Sequence, residues 1–529
     1  MTSSSIRLAQ LFSQNRREFV LSGASLAILP WVSRVAAGQI AQPHFDSDPF
    51  QLGVASGDPS PDGMVLWTRL CGDPLTEDID SAHGMGKHAF EVVWEIAKDD
   101  SMREIVQSGT TVATGTLGHS VHVEVQGLLP NRWYSYRFRC GQALSPVGRT
   151  RTAPAPTETP DRLRFAFASC QHYESGLYTA YQHMSREDLD LIVHLGDYIY
   201  EGAAQEKRTR KHIGPELTTL QQYRSRYAQY KSDLHLMAAH AQAPWLVVWD
   251  DHEFDNNCAG DISEEKGVTR ESFLLRRAAA YQAYYENMPL RAVCLPKGPD
   301  MQLYRTVAFG RLANFEMLDT RQYRTDQPNG DGSKPLVGDV FHPEATLLGE
   351  RQDAWLQAEL GQSQATWNVL AQQIMMARVD RGPEGEPRFS MDQWAGYDKP
   401  RKRLLSFLRD HRIANPVVLT GDIHNHWVND LMVDFDREND PVVATEFVGT
   451  SISSGGDGTQ KTNTTDAMLA KNPFVKFFNA ERGYVSCTVT PKTWQSDYQV
   501  IPYVTRPGAP RLTRASFVVE AGKPGAVPS

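Results

Sequence analysis

Four short apolar runs in this chain each end in residues that bind metals. Residues 163–169 are followed by Cys170, 191–195 by Asp197, 245–249 by Asp250-Asp251-His252, and 417–420 by Asp422-Ile423-His424. Short apolar runs of this length read as buried strands. Helical patterns lie at 176–186, 270–287, 349–360 and 402–411, and further strand-like runs at 315–318 and 369–374. Strands alternating with helices predict an α/β region whose sheet is covered on both faces. In such folds ligands bind beyond the carboxyl ends of the strands. Four segments far apart in sequence are therefore expected to deliver their ligands to one end of one sheet.

The stretch 45–150 has a different period. Phe90, Val92, Trp94 and Ile96 fall on one face of an alternating run, as do Val121, Val123 and Val125, and Tyr134, Tyr136 and Phe138. Period-two alternation of branched and aromatic residues marks half-buried strands. The turn 127–131 followed by Tyr134 resembles the late strands of fibronectin type III and Ig-like sandwiches, so an all-β sandwich of about seven strands is expected here. Residues 151–160 hold three prolines and read as a linker. The α/β region then spans 161–505. Residues 455–465, rich in glycine and threonine, are expected to be a mobile loop, and 506–529 a tail that is disordered from Gly522 onward.

The first 37 residues do not read as part of the fold. Arg16-Arg17-Glu18-Phe19-Val20-Leu21 is a twin-arginine pattern, residues 21–32 are mostly apolar, and Val35-Ala36-Ala37 supplies small residues for cleavage. That order matches an export signal read by the twin-arginine machinery, with a periplasmic or extracellular destination. The apolar stretch is too short to anchor in a bilayer, and no later run of about 18 apolar residues follows. The formal net charge is −9, which disfavours a nucleic-acid-binding surface, since such surfaces need many Lys and Arg contacts to phosphate. The six cysteines include no CxxC spacing, which argues against a structural zinc site. Their even number in an exported chain permits up to three disulfides.

The residues after the strands are unusual in density. Asp250, Asp251, His252 and Glu253 are consecutive, with Asp255, Asn256 and Asn257 close behind. Like charges this close repel and raise each other's pKa unless a cation neutralises them. Asp422-Ile423-His424-Asn425-His426 adds a carboxylate and two imidazoles. On an extended segment His424 and His426 would share a face, so either both look inward or one is a ligand and the other its support. His194-Leu195-Gly196-Asp197-Tyr198-Ile199-Tyr200 adds a carboxylate and two phenols.

Taken together, Ala168-Ser169-Cys170-Gln171, Gly196-Asp197-Tyr198-Ile199-Tyr200-Glu201, Trp249-Asp250-Asp251-His252-Glu253 and Gly421-Asp422-Ile423-His424 resemble the motifs of the PhoD-type alkaline phosphatases and phosphodiesterases, a metallophosphoesterase family similar to purple acid phosphatases. Asp319-Thr320-Arg321 and Gln393-Trp394-Ala395-Gly396-Tyr397 extend the likeness, which covers about 45–505. The resemblance implies a metallophosphoesterase-like β-sandwich flanked by helices, preceded by a smaller all-β domain. It implies Fe³⁺ on Cys170, Asp197, Tyr200 and His424, with Asp197 bridging to Ca²⁺ shared by Asp251 and Asp422. Asp250, His426 and His172 would stand around these ligands. An acid is common in the family where Ala395 lies, which leaves the number of calcium ions open.

The activity so implied is hydrolysis of phosphate esters by water that the metals activate. His252 is the candidate acid or charge stabiliser. Arg321 is the candidate phosphate clamp, with a surface ion pair to Asp319 or Asp326 as its alternative, and Asn257 is a further substrate contact. These motifs do not separate monoesters from diesters, phospholipids included, and leave the oligomeric state open. A different class of answer is a secreted binding module stabilised by calcium. Cysteine, tyrosine and histidine together argue against it, because a structural calcium site needs only hard oxygen ligands.

Overall fold

The computed structural model describes residues 43, 45–76, 85–437 and 439–529; the expected export signal lies outside them. The described residues are built on two large sheets. The ten-stranded sheet runs in the order Lys523–Pro528, Leu512–Glu520, Thr493–Ile501, Arg482–Val489, Leu163–Ala168, Leu191–Leu195, Trp245–Val248, Val54–Ser60, Gly63–Arg69 and Ser120–Val125. The seven-stranded sheet runs Arg305–Phe309, Ala313–Met317, Trp367–Ala371, Pro416–Thr420, Val442–Val448, His426–Met432 and Val475–Asn479. The sheets meet through aromatic contacts, with Phe165 on Phe315 at 5.3 Å and Trp367 on Trp494 at 5.7 Å between ring centroids. Such edge-to-face pairs suit the ring quadrupoles and fix one sheet on the other.

Helices cover the outer faces. Arg270–Asn287 lays Tyr281 flat on Trp249 at 4.1 Å, beside Leu220–Lys231. On the other side Gly349–Gln362 and Asp398–Asp410 bury Leu356, Leu360, Leu404, Leu405 and Leu408 against Leu370 and Val418. The expectation of one sheet covered on both faces is thus corrected. Each sheet has the other sheet on one face and helices on the other, so the four ligand-bearing strands divide three to one between two sheets.

The amino-terminal strands also depart from expectation. Phe90–Ala97, Ser120–Val125 and Trp133–Cys140 form where the alternation places them, and most of their apolar residues share one core. That core lies between two sheets, one of which is continuous with the ten-stranded sheet rather than detached from it. Val54–Ser60, Gly63–Arg69 and Ser120–Val125 belong to the ten-stranded sheet, joined by Gly57 pairing in parallel with Trp245. A five-stranded sheet of Ile105–Ala113, Phe90–Ala97, Trp133–Cys140, Ala143–Leu144 and Gly148–Arg151 completes that region. The segment 151–160 begins as the end of a strand, and Ala153 donates its N–H to the carbonyl of Ser60, so its first residues are packed rather than free.

Residues 506–529 are not a loose tail. Leu512–Glu520 and Lys523–Pro528 extend the ten-stranded sheet and bury Phe517, Val519 and Ala526. In the 455–465 segment Asp457 accepts hydrogen bonds from the backbone of Val504 (2.6 Å) and Thr505 (3.0 Å), which ties the loop down. All six cysteines are buried free thiols.

Candidate metal centre

Four strand ends converge as expected, and they do so at an energetic cost. Cys170, Asp197, Asp422 and His424 all adopt left-handed backbone conformations, with φ of 59°, 55°, 60° and 58°. Each costs about 1–2 kcal/mol for a residue with a Cβ, and such outliers concentrate where surrounding structure holds a functional geometry. Two glycines allow the loops to pack this closely. A Cβ on Gly196 would lie 2.5 Å from the backbone nitrogen of Asp250, and one on Gly421 would lie 2.6 Å from Ser169 Oγ. Glu253 then staples two loops together. Its carboxylate accepts the backbone N–H of Asp197 (3.1 Å), Tyr198 (2.6 Å) and Asp250 (2.8 Å).

The donor atoms fall into two adjoining sets. Cys170 Sγ, an Asp197 oxygen and a His424 ring nitrogen lie within 4.8 Å of one another. The Tyr200 hydroxyl joins them, donating to Asp197 Oδ2 at 2.8 Å and standing 3.2 Å from His424 Nε2. Asp250, Asp251 and Asp422 form the second set, again within 4.8 Å. Asp197, Asp251 and His252 form a third grouping on the same criterion, so Asp197 is common ground. Tyr198 points the other way, with its hydroxyl 2.7 Å from His240 Nε2.

Burial without a counter-cation is costly here. Burial, reinforced by neighbouring carboxylates, pushes the pKa of Asp197 and Asp250 well above the usual range and that of Asp422 to about 6. Burial likewise raises the Cys170 thiol and the Tyr200 phenol, and lowers His424 to about 3. Asp197 Oδ1 and Asp250 Oδ2 are buried with no hydrogen-bond partner. Buried polar atoms are ordinarily paired, so these orphans, with a thiol, a phenol and an imidazole beside them, fit a bound cation.

His252 stands over this cluster. Its Nδ1 lies 2.7 Å from Glu201 Oε2, while Glu201 Oε1 accepts the backbone N–H of Asn256 at 3.0 Å. Its ring packs on Tyr200 at 4.1 Å between centroids. Burial opposes the charged form, but Glu201, Asp197 and Asp251 outweigh it and hold the imidazole well above its ordinary pKa.

The surface ion pair of Arg321 with Asp319 or Asp326 is corrected: the side chain is fully buried and pairs with other acids. Asp319 Oδ1 accepts the backbone N–H of Arg321 (3.0 Å) and Gln322 (2.9 Å), a local turn that sends the guanidinium inward. There its Nε donates to Asp250 and its Nη1 to both oxygens of Asp392 (2.8 and 3.0 Å), while Nη2 lies 3.4 Å from Asp251 and 3.5 Å from Asp422. Arg321 is thus the fixed counter-charge beneath the acids.

The remaining candidates divide. Asn257 donates its backbone N–H to Asp251 Oδ2 (2.7 Å) and its amide to Asp331 (2.9 Å), so it holds Asp251 in place. His426 turns away, with Thr450 N–H donating to its Nδ1 at 3.1 Å and its ring against Tyr498 at 4.8 Å. The left-handed turn at His424 breaks the extended geometry that would have aligned the two histidines. His172 stacks on Tyr200 at 4.4 Å and reaches Ser175 Oγ at 3.2 Å, outside the donor sets. Ala395 packs with Val340, Phe389 and Met391 in an apolar cluster.

Sequence reasoning missed Asp392, Gln393, Glu201 and Ser454. Asp392 is gripped by Arg321, Arg324 and Gln327, and Gln393 donates to Asp422 Oδ2. Ser454 Oγ lies 2.7 Å from the Tyr200 hydroxyl. Glu201 and Gln393 stood inside quoted motifs with no role assigned, and nothing in the spacing signals the reach of Glu201 to His252, 51 positions later.

The chain is similar to known proteins along most of its length. A family model described as PhoD-like phosphatase matches residues 165–498, and one described as PhoD-like phosphatase, N-terminal domain, matches residues 35–154. The chain is 53% identical to alkaline phosphatase D of Bacillus subtilis (strain 168) over 521 residues, 97% of this chain and 88% of that protein. A solved structure described as "Structure of PhoD" is 54% identical, with a TM-score of 0.89 over 92% of this chain and 93% of the other.

Proposed function

Since the chain belongs to the PhoD-like phosphatase family and hydrolyses phosphate esters in a metal-dependent reaction, we propose that it does so on a mixed centre of Fe³⁺ and Ca²⁺. Cys170, Asp197, Tyr200 and His424 would hold the iron, with Asp197 shared by calcium on Asp251 and Asp422. The observation that carries this reading is the separation of donor types. Thiol, phenol and imidazole gather with Asp197 in one set, and the other set is the three carboxylates of Asp250, Asp251 and Asp422, with His252 beside Asp197 and Asp251. Soft and imidazole donors suit a transition metal, whereas calcium takes hard oxygens.

When bound, adjacent cations neutralise phosphate charge and lower the pKa of water, which supplies the attacking hydroxide. The protein's own contribution is orientation and proton transfer. Glu201 fixes Nδ1 of His252 and so leaves Nε2 as the outward nitrogen. As the P–O bond to the leaving group breaks, the proton on Nε2 passes to the departing oxygen while the water oxygen bonds to phosphorus. Arg321, locked to Asp250 and Asp392, keeps the acids charged and in place.

Visible absorption tests the iron assignment. A ferric phenolate absorbs through charge transfer, so native protein should be coloured and Tyr200→Phe should bleach the band. Tyr198→Phe should leave it, because that hydroxyl is committed to His240 on the far side. Chelation should abolish hydrolysis of monoester and diester alike. A colourless, iron-free and fully active enzyme would remove the iron and leave the phosphatase.

The twin-arginine pattern supports export to the periplasm or beyond, and no described helix is long and apolar enough to cross a membrane. Changing Arg16-Arg17 to Lys-Lys should trap the precursor in the cytoplasm, because a receptor reads the pair. Undiminished export of that variant, measured by fractionation, contradicts the assignment.

A further inference from the structure

With Arg321 buried beneath the acids, the phosphate clamp expected on the open side is missing from its expected place. Other arginines close to the centre are also committed. Arg226 bonds the carbonyls of Tyr200 and Gly202, and Arg482 bonds those of His424 (2.6 Å) and Gly456 (2.8 Å). Arg381 differs from these. It is exposed, and its guanidinium makes no hydrogen bond or ion pair among the described residues. It rests 5.3 Å from the ring centroid of Trp427, three residues beyond His424 and five beyond Asp422.

Its backbone, by contrast, is held firmly. Arg381 N–H donates to the carbonyl of Arg388 at 2.9 Å. Asp380 Oδ1 accepts the N–H of Gly382 (2.8 Å) and Arg388 (2.9 Å), and its other oxygen pairs with Lys471 at 3.3 Å. Asn472 Oδ1 accepts the N–H of Asp380 at 2.9 Å. The loop is therefore a fixed pedestal under a free cationic head. A cation on an aromatic face keeps its N–H groups available at the ring's edge. Surrounding protein strips hydration from the guanidinium and lowers its pKa, while the charge of Asp422 acts in the opposite direction without an ion pair forming. The guanidinium is thus open to solvent, seated on Trp427, and within the field of Asp422.

We propose that Arg381 is the anion-binding arm of the site, donating a charge-assisted hydrogen bond to a non-bridging oxygen of the bound phosphate. Trp427 orients the arm and the Asp380 turn sets its reach. The planar guanidinium matches paired phosphate oxygens. The proposal rests on the phosphate-ester reading above. It assigns Arg381 a binding role that the free phosphate product also experiences, so both substrate and product should feel its loss. An interaction made equally in ground and transition states appears in KM and leaves kcat little changed.

The test uses the full-length, metal-loaded protein. Binding of inorganic phosphate is measured by titration calorimetry, together with KM and kcat for p-nitrophenyl phosphate, in wild type, Arg381→Gln and Arg381→Lys. For Arg381→Gln the Kd of phosphate and the KM should each rise about ten- to a hundredfold, the size of one charge-assisted hydrogen bond. Arg381→Lys should recover part of the loss, since it keeps the charge without the fork. Metal content and thermal midpoint should stay at wild-type values. Phosphate affinity within twofold of wild type in Arg381→Gln overturns the proposal, as does a variant that loses metal. A wild-type protein that neither binds phosphate nor hydrolyses the ester sinks the phosphatase reading and this assignment with it. A wild type that does both, with an indifferent Arg381→Gln, sinks this assignment alone.

Discussion

Replacing His252 by alanine is expected to lower kcat by roughly 10²–10⁴, the usual worth of positioned proton transfer, with metal content unchanged. The imidazole is held from one side by Glu201 and from below by the Tyr200 ring, so the deletion leaves the donor sets standing. Glu201→Gln gives the finer reading. Glu201 helps hold the imidazole protonated above its ordinary range, and removing its charge lowers that pKa. The reaction needs the protonated form, so the alkaline limb of the kcat–pH profile should move to lower pH in Glu201→Gln. Loss of metal together with activity in His252→Ala would make His252 a ligand and end its assignment as the acid. An unmoved alkaline limb in Glu201→Gln would end the role given to Glu201.

Arg321→Met should produce the second large effect, and on stability rather than on substrate affinity. Its guanidinium is fully buried and touches Asp250 and Asp392 directly, with Asp251 and Asp422 within 3.5 Å. Removing one partner from a buried charge network leaves the others uncompensated and costs about 3–5 kcal/mol. Denaturant unfolding of chelated protein should show this loss, and the variant should hold its metal more weakly, because Asp250 loses the partner that fixes its place. Arg321→Lys keeps one charge but cannot span Asp250 and Asp392 at once, so it should fall between. An Arg321→Met protein of normal stability with a raised KM would restore the phosphate-clamp role that the buried geometry argues against.

The convergence of Cys170, Asp197, Asp251 and Asp422 was legible because apolar runs mark strands and strand ends mark sites. The opposite aims of Tyr198 and Tyr200 do not follow from period two, which puts residues i and i+2 on one face; the strand ends at Leu195 and Asp197 is left-handed, so the two phenols part company in a turn. What escaped prediction depended on distances that sequence spacing does not encode. The burial of Arg321 depends on Asp392, 71 positions later, and the divergence of His424 from His426 depends on one left-handed residue. Leu512–Glu520 was missed because Thr513, Arg514 and Ser516 dilute its apolar alternation. The amino-terminal strands were recognised as strands, but their enlistment in the catalytic sheet turns on a single parallel contact between Gly57 and Trp245.

The pairing of Leu163–Ala168 with Arg482–Val489 has a consequence for synthesis. The strand that leads to Cys170 is flanked on one side by Leu191–Leu195, close behind it, and on the other by a strand that places Cys487 opposite Phe165. At about 5–20 residues per second, the ribosome delivers that second flank roughly 15–60 s after the first strand has emerged. Throughout that interval an apolar strand exposes a bare edge, the kind of surface that recruits strands from other chains. His424 and Ser454, which complete the surroundings of Cys170 and Tyr200, also emerge late. The nascent chain must therefore be shielded until Arg482–Val489 has emerged, and a metal ion can find the donors around Cys170 only once His424 has emerged.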